Sequence, residues 1–168
     1  MNYLSHLLIP MIISNVTHMI IVKKNAFSFL TLPIWTTQFG ANKTLRGFFI
    51  LPILNGALLV LVDIFLPLFG IFEAFWIGAV LGFVYMLFEL PNSWIKRKMG
   101  IRSGEKSEKN TTLFMLMDKT DSSLGVSLAC HFLLDWNWSE TGIFFLIAVG
   151  THVFFSWLLV VLKVKKRF

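Results

Sequence analysis

The sequence predicts an all-α integral membrane protein with about five transmembrane helices, its N-terminus outside and its C-terminus cytoplasmic. Three observations carry this reading. The 168 residues are 56% hydrophobic and 14% charged, where a soluble domain is about 25% charged. The apolar residues gather in stretches long enough to cross a bilayer, which takes about 20 residues each. All 15 Lys and Arg then fall on one side of the resulting topology. Mean hydropathy is +0.73. The whole chain, 1–168, reads as one polytopic domain without internal repeats.

The first span covers roughly 3–22. No basic segment or small-residue cleavage site accompanies it, so it is expected to be retained, not removed as a signal. Spans at roughly 47–69 and 71–90 are joined tightly around Pro67 and Gly70, which suits a helical hairpin. A cytoplasmic loop, 91–110, follows; its polar part "GIRSGEKSEKN", 100–110, is expected to be mobile. The last two spans are roughly 111–134 and 141–162.

Charge sets the orientation. Lys23, Lys24, Lys43 and Arg46 lie between spans one and two. Lys96, Arg97, Lys98, Arg102, Lys106 and Lys109 lie between three and four, and Lys163, Lys165, Lys166 and Arg167 follow span five. Lys119 sits near the start of span four, on the same side. The other side holds Glu73, Asp135 and Glu140, with Trp136 and Trp138 as interfacial markers. The positive-inside rule makes the basic side cytoplasmic and the protein a multi-pass component of the cell membrane, in contact with membrane lipids. The net charge of +6 is explained by these anchors. No basic stretch interleaved with aromatics points to RNA or DNA, so no nucleic-acid partner is expected. The single Cys130 excludes an intrachain disulfide and a multi-cysteine metal site.

Three acids lie near the cytoplasmic boundary: Glu89 at the end of span three, and Asp118 and Asp121 inside span four. Residues three apart share one helix face, so the aspartates repel and need compensation. Lys119 projects about 100° away round the helix and cannot serve both. A divalent cation such as Mg²⁺ can, since it takes oxygen ligands from one or two carboxylates plus substrate phosphates. Ser122 and Gly125, near the same face, would admit a close neighbour. The alternative is a later start of span four, at Leu124, leaving "DKTD" in a loop.

Two basic elements accompany the acids. In "NSWIKRKMG", 92–100, a helix would bring Ser93, Lys96 and Arg97 to one face, a hydroxyl and two cations suited to an anion. The same cations serve equally as topology anchors. In "GANKTLRGF", 40–48, Lys43, Thr44 and Arg46 precede span two, and a helix starting at Thr44 or later would aim its first amides at the cytoplasm. The P-loop spacing is absent. His6, His18, His131 and His152 form no ligand pattern; His152, midway along span five, is a candidate site residue. Asp63 reads as structural, and Asn15 and Asn55 as helix-to-helix links.

Taken in order, "NKTLRG", Glu89, "SWIKRKMGI" and "MDKTDSSLG" resemble the CDP-archaeol synthase-like family of membrane CTP-dependent cytidylyltransferases, and more distantly CDP-diacylglycerol synthase. The resemblance covers roughly 40–165. It implies an enzyme of phospholipid biosynthesis that moves CMP from CTP to a lipid phosphate with Mg²⁺ and releases pyrophosphate at the cytoplasmic face. It also implies roles. Asp118 and Asp121 match the metal-binding aspartates, with Glu89 standing where the archaeal enzymes have Asp. Lys43, Thr44 and Arg46, together with Ser93, Lys96 and Arg97, match phosphate-gripping elements. Lys96, Arg97, Asp118 and Asp121 would be catalytic. A homodimer is compatible with the family. Leu45 replaces the family's aromatic residue, and Lys119 stands where the archaeal enzymes have Gln. Two other classes explain parts of the pattern: a small transporter, for which intramembrane Asp pairs are common, and a non-catalytic membrane subunit.

Overall fold

The computed structural model describes residues 2–105 and 111–163, and among them the chain is helical without strands. Lys106, Lys109, Lys165, Lys166 and Arg167, and the 106–110 part of the polar loop, lie outside the described residues. Five long helices are present: α1 (Asn2–Lys23), α3 (Leu45–Phe65), α4 (Ile71–Lys98), α5 (Thr111–Leu133) and α6 (Trp138–Val161). A short α2 (Thr36–Phe39) lies in the link between α1 and α3. Four of them, α1, α3, α4 and α6, are long and apolar enough to cross a membrane. The fifth, α5, is equally long and carries Asp118, Lys119 and Asp121 within its helical turns, so "DKTD" is helix and not loop.

The helices alternate in direction, and their ends are tied. At the basic end Lys23 Nζ donates to the Lys163 carbonyl at 2.9 Å, joining the C-termini of α1 and α6. At the opposite end His6 Nε2 donates to the Leu66 carbonyl at 2.6 Å, joining the start of α1 to the end of α3. The α3–α4 hairpin is closed by Asp63. Its carboxylate accepts the amides of Leu68, Phe69 and Gly70 at 2.9–3.0 Å. Those amides would otherwise lack an intramolecular partner in the turn.

Small residues set the closest contact. A Cβ on Gly78 of α4 would meet the Asn55 carbonyl of α3 at 2.7 Å and Gly56 Cα at 2.8 Å. The same Asn55 donates to the Gly78 carbonyl at 2.7 Å and accepts from Ser14 of α1 at 3.2 Å. Helices that gain little from hydrophobic association in lipid associate through such close backbones and buried amides. Gly125 of α5 packs against the Phe88 ring of α4 in the same way. A core of Leu7, Leu51, Leu59, Leu81, Val126 and Phe144 fills the remaining centre.

Two departures from the sequence reading concern boundaries. The expected loop 91–110 begins as helix: α4 runs through Pro91 to Lys98. Proline removes one helical bond, but neighbouring helices hold the turn that follows it. Trp136 is 9% exposed and packs on Phe144 and Tyr3, so it is a core residue; Trp138 is 68% exposed and stacked on His131. The capping box of Asn137 and Glu140 starts α6 there.

Candidate functional site

α4 presents a polar stripe toward its C-terminus: Tyr85, Glu89, Asn92, Ser93, Lys96 and Arg97. These positions recur at three- and four-residue intervals and so lie on one face. That face looks into a cavity of about 470 Å³ between α1, α4, α5 and α6, with the 103–105 segment at its rim. Of the residues singled out in the sequence, Asn15, Lys43, Glu89, Ser93, Lys96, Arg97, Asp118, Lys119, Asp121 and His152 line it. Thr44 and Arg46 do not. They line a separate, smaller cavity with His18 and Met86. Successive helical residues turn by about 100°, so the first turn of α3 carries Arg46 away from Lys43. There Arg46 Nη1 donates to Asn25 Oδ1 at 3.3 Å and to the Ala26 carbonyl at 3.1 Å, fastening the link after α1.

The aspartates are held by a residue the sequence reading passed over. Asn92 Nδ2 donates to Asp118 Oδ1 at 2.6 Å and to Asp121 Oδ2 at 3.0 Å. Asn92 is 4% exposed, and its Oδ1 has no hydrogen-bond partner among the described residues. Lys96 forms an ion pair with Asp118. Carboxylate repulsion is thus met by an amide and an ammonium, without requiring Lys119. That lysine is buried, lines the same cavity and donates to Ser156 of α6 at 2.6 Å. The backbone amide of Ser122 completes the set with a 2.7 Å bond to Asp121 Oδ1. The position of Asn92 in the stripe, between Glu89 and Lys96, was the available signal.

Glu89 lines the same cavity and forms an ion pair with Lys43. Among the described residues no three His, Cys, Asp or Glu side chains gather as a metal-ligand cluster. Two carboxylates one turn apart are nonetheless hard oxygen donors of the kind that Mg²⁺ takes. The Asp118–Asp121 pair fits one such ion, with its remaining positions left to water or to phosphate oxygens.

The cations divide by their partners. Lys43 and Lys96 are engaged with carboxylates. Arg97 is not: its Nε and Nη1 atoms are buried and lack hydrogen-bond partners among the described residues. Gly40, at φ 87, lies against its guanidinium, where a Cβ would come within 3.4 Å of Arg97 Nε. Ser93 Oγ donates to the Glu89 carbonyl at 2.9 Å and keeps its oxygen as an acceptor. The opposite part of the cavity is walled by Leu8, Met11 and Ile12 of α1 and Ala148 of α6. The chamber is therefore ionic at one end and apolar at the other.

No protein-family model, curated protein or solved structure matches this chain.

Proposed function

We propose that the chain transfers CMP from CTP to a lipid phosphate, giving a CDP-activated lipid and pyrophosphate, at the cytoplasmic face of the cell membrane with α5 as a fifth span. The observation that carries this is the pairing in one cavity of the Asp118–Asp121 carboxylates with the Arg97 guanidinium, whose buried Nε and Nη1 have no partner among the described residues. Buried guanidinium donors without partners favour a planar, multivalent anion such as a phosphate. The apolar end of the same cavity favours an acceptor that keeps its tail in the membrane.

In this reading Arg97 and Lys96 hold non-bridging oxygens of the triphosphate, and Ser93 supports them. Asp118 and Asp121 would hold Mg²⁺, which would supply neutralisation of charge on the triphosphate and the leaving pyrophosphate. Lys96 exchanges its bond to Asp118 for one to phosphate. Lys43, kept in place by Glu89, faces the acceptor phosphate. The acceptor oxygen is already an anion and needs no general base. It forms a bond to the α-phosphorus of CTP as the bond from that phosphorus to the β-phosphate oxygen breaks. Preorganised cations around the developing charge are the main source of rate. Thr44 and Arg46 keep their structural role at the entry to α3.

The test is pyrophosphate release by purified protein given CTP, Mg²⁺ and a panel of lipid phosphates, with Asp121→Ala as control. Release that requires all three components and is lost in the variant supports the reading. No release with any lipid, together with no Mg²⁺-dependent CTP binding, overturns it and favours a transporter or a non-catalytic subunit.

A further inference from the structure

The link between α1 and α3 differs from the other connection at the basic end. The stretch 25–42 contains no Lys, Arg, Asp or Glu, whereas "GIRSGEKSEKN" after α4 is dense in them. Lys23 and Lys24 precede the stretch and Lys43 follows it. Within it Phe27, Phe29, Leu32 and Trp35 are exposed, the last three by more than half. Large apolar side chains exposed in one run, rimmed by charge, mark a contact surface.

The stretch is also held at a fixed height. Near its start, Arg46 Nη1 donates to the Asn25 side chain and to the Ala26 carbonyl. Further along, the Ile34 amide donates to the Lys43 carbonyl at 2.9 Å, and the Leu45 amide to the Leu32 carbonyl at 3.0 Å. Pro33 and Thr44 thereby pair as an antiparallel bridge. Both parts are fastened to residues 43–46, where α3 begins, and one helical turn rises only about 5.4 Å. Between the fastenings Phe27 takes φ 54, in the left-handed region that bulky residues avoid. The turn sets its ring beside that of Phe29, centroids 6.3 Å apart.

We propose that 25–35 is an interfacial anchor, with Phe27, Phe29, Leu32 and Trp35 inserted at the boundary of headgroups and acyl chains in the leaflet at the basic end. Three points favour lipid over a second copy of the chain. The segment is fastened between two apolar helices whose own exposed side chains, Val22 and Phe49, flank it in sequence. Aromatic rings close to the end of a span are the side chains that this boundary takes up. Lys24, exposed at its edge, complements anionic headgroups. The segment is neither a long helix nor a closed sheet, so it belongs at the boundary, where water still reaches its backbone, and not in the hydrocarbon. Past Trp35 the chain enters α2, and Phe39, Asn42 and Lys43 line the large cavity. The anchor therefore ties one wall of that cavity to the headgroup level. It requires that α1 and α3 cross the bilayer and stands apart from CMP transfer.

The experiment uses the full chain in vesicles of zwitterionic lipid with an anionic fraction, in a Cys130→Ala background. Single cysteines replacing Phe29, Leu32, Arg102 and Ile53 are labelled in turn with bimane. Quenching is read with iodide in the water and with nitroxide lipids carrying the spin at a shallow or a deep acyl position. Arg102, in the charged loop, is the water control; Ile53, exposed on α3, is the lipid control. Probes at 29 and 32 are expected to emit to the blue of the probe at 102, to resist iodide, and to be quenched more by the shallow nitroxide than by the deep one. Phe29→Asp with Trp35→Asp should return the probe at 32 to iodide and leave the probe at 53 unchanged. If the aspartates also disturb the probe at 53, Trp35→Ser alone replaces them. Iodide access at 29 and 32 equal to that at 102 overturns the proposal. So does a shielded probe that ignores both nitroxides and loses its shielding as the protein is diluted in lipid, the mark of a second copy. Shielding at 32 that survives the substitutions also overturns it, because the fluorophore is then inserting by itself.

Discussion

Asn92 is one side chain serving two carboxylates, and its loss has a definite signature. Asn92→Leu leaves Asp118 with Lys96 alone and Asp121 with a single backbone amide. The expected cost is about 1–3 kcal/mol, toward the lower bound because the Asp118 side chain is 46% exposed. It is read as a fall in thermal midpoint in detergent. Millimolar Mg²⁺ should raise the midpoint of the unaltered protein by binding only its folded form, and should not raise that of Asp118→Asn. An equal rise in both would remove Mg²⁺ from the pair. The Lys43–Glu89 pair offers a second test. Lys43→Met strands a carboxylate that is 24% exposed and should cost about 2–3 kcal/mol, below the range for a fully buried pair. Adding Glu89→Gln should recover most of it, because the cost lies in the unpaired charge; strict additivity in the double-mutant cycle would contradict this. The acids and cations were legible in the sequence because their cost in an apolar chain demands a reason. Asn92 was not, because its partners lie 26 and 29 residues away and its own neighbourhood reads as the edge of a loop.

At the scale of helices, glycines divide by what faces them. Gly78→Ala would drive a Cβ into the Asn55 backbone, and backbone cannot yield as a flexible side chain does. Overpacking of this kind costs about 1–3 kcal/mol and should also break the Asn55–Gly78 bond. Gly142→Ala in α6 meets nothing within 4 Å and should stabilise by about 0.5–1 kcal/mol through helix propensity alone. Thermal midpoints of the two variants should move in opposite directions. Helix existence was legible from hydropathy, and α5 matches its expected range, Thr111–Leu133 against 111–134, although its charges dilute the apolar signal. The continuation of α4 past Pro91 was not legible. Local propensity argues for a break there, and tertiary contacts, among them those of Asn92 and Lys96 with α5, reverse it. The separation of Arg46 from Lys43 was hidden for a related reason: whether neighbouring residues share a cavity depends on where helical turning begins, and here it begins between them.

For the molecule as a whole, the alternation of helices makes a topological prediction. Cys130 is buried, so a Cys130→Ala background gives a chain without accessible thiols. Single cysteines replacing Lys98 and Lys163 should then react with a membrane-impermeant maleimide from the same side of the bilayer, and one replacing Glu140 from the other. Labelling of positions 98 and 140 from one side would contradict the topology. The pattern of basic residues made this much legible, because every Lys and Arg falls on one side of the expected spans. The chamber itself could not be read, since it is assembled from four helices whose mutual rotation no single segment encodes.

The 28 residues of α4 extend about 42 Å, against a hydrocarbon layer about 30 Å thick. Of that length the apolar part, 71–90, spans about 30 Å and matches the layer. The polar last turns project beyond it, so only a thicker or thinner layer would make the helix change its lean. Lys96 and Arg97 sit on the projecting end, whereas Asp118 and Asp121 belong to a different helix, so leaning changes the distance across the ionic end of the cavity. Lipid thickness thereby becomes an input to the site. Reconstitution into vesicles of increasing acyl length should reveal an optimum in CTP affinity, and crosslinking the Lys96 and Asp118 positions as a cysteine pair should flatten it. An affinity indifferent to acyl length would show that α4 holds its angle against the bilayer.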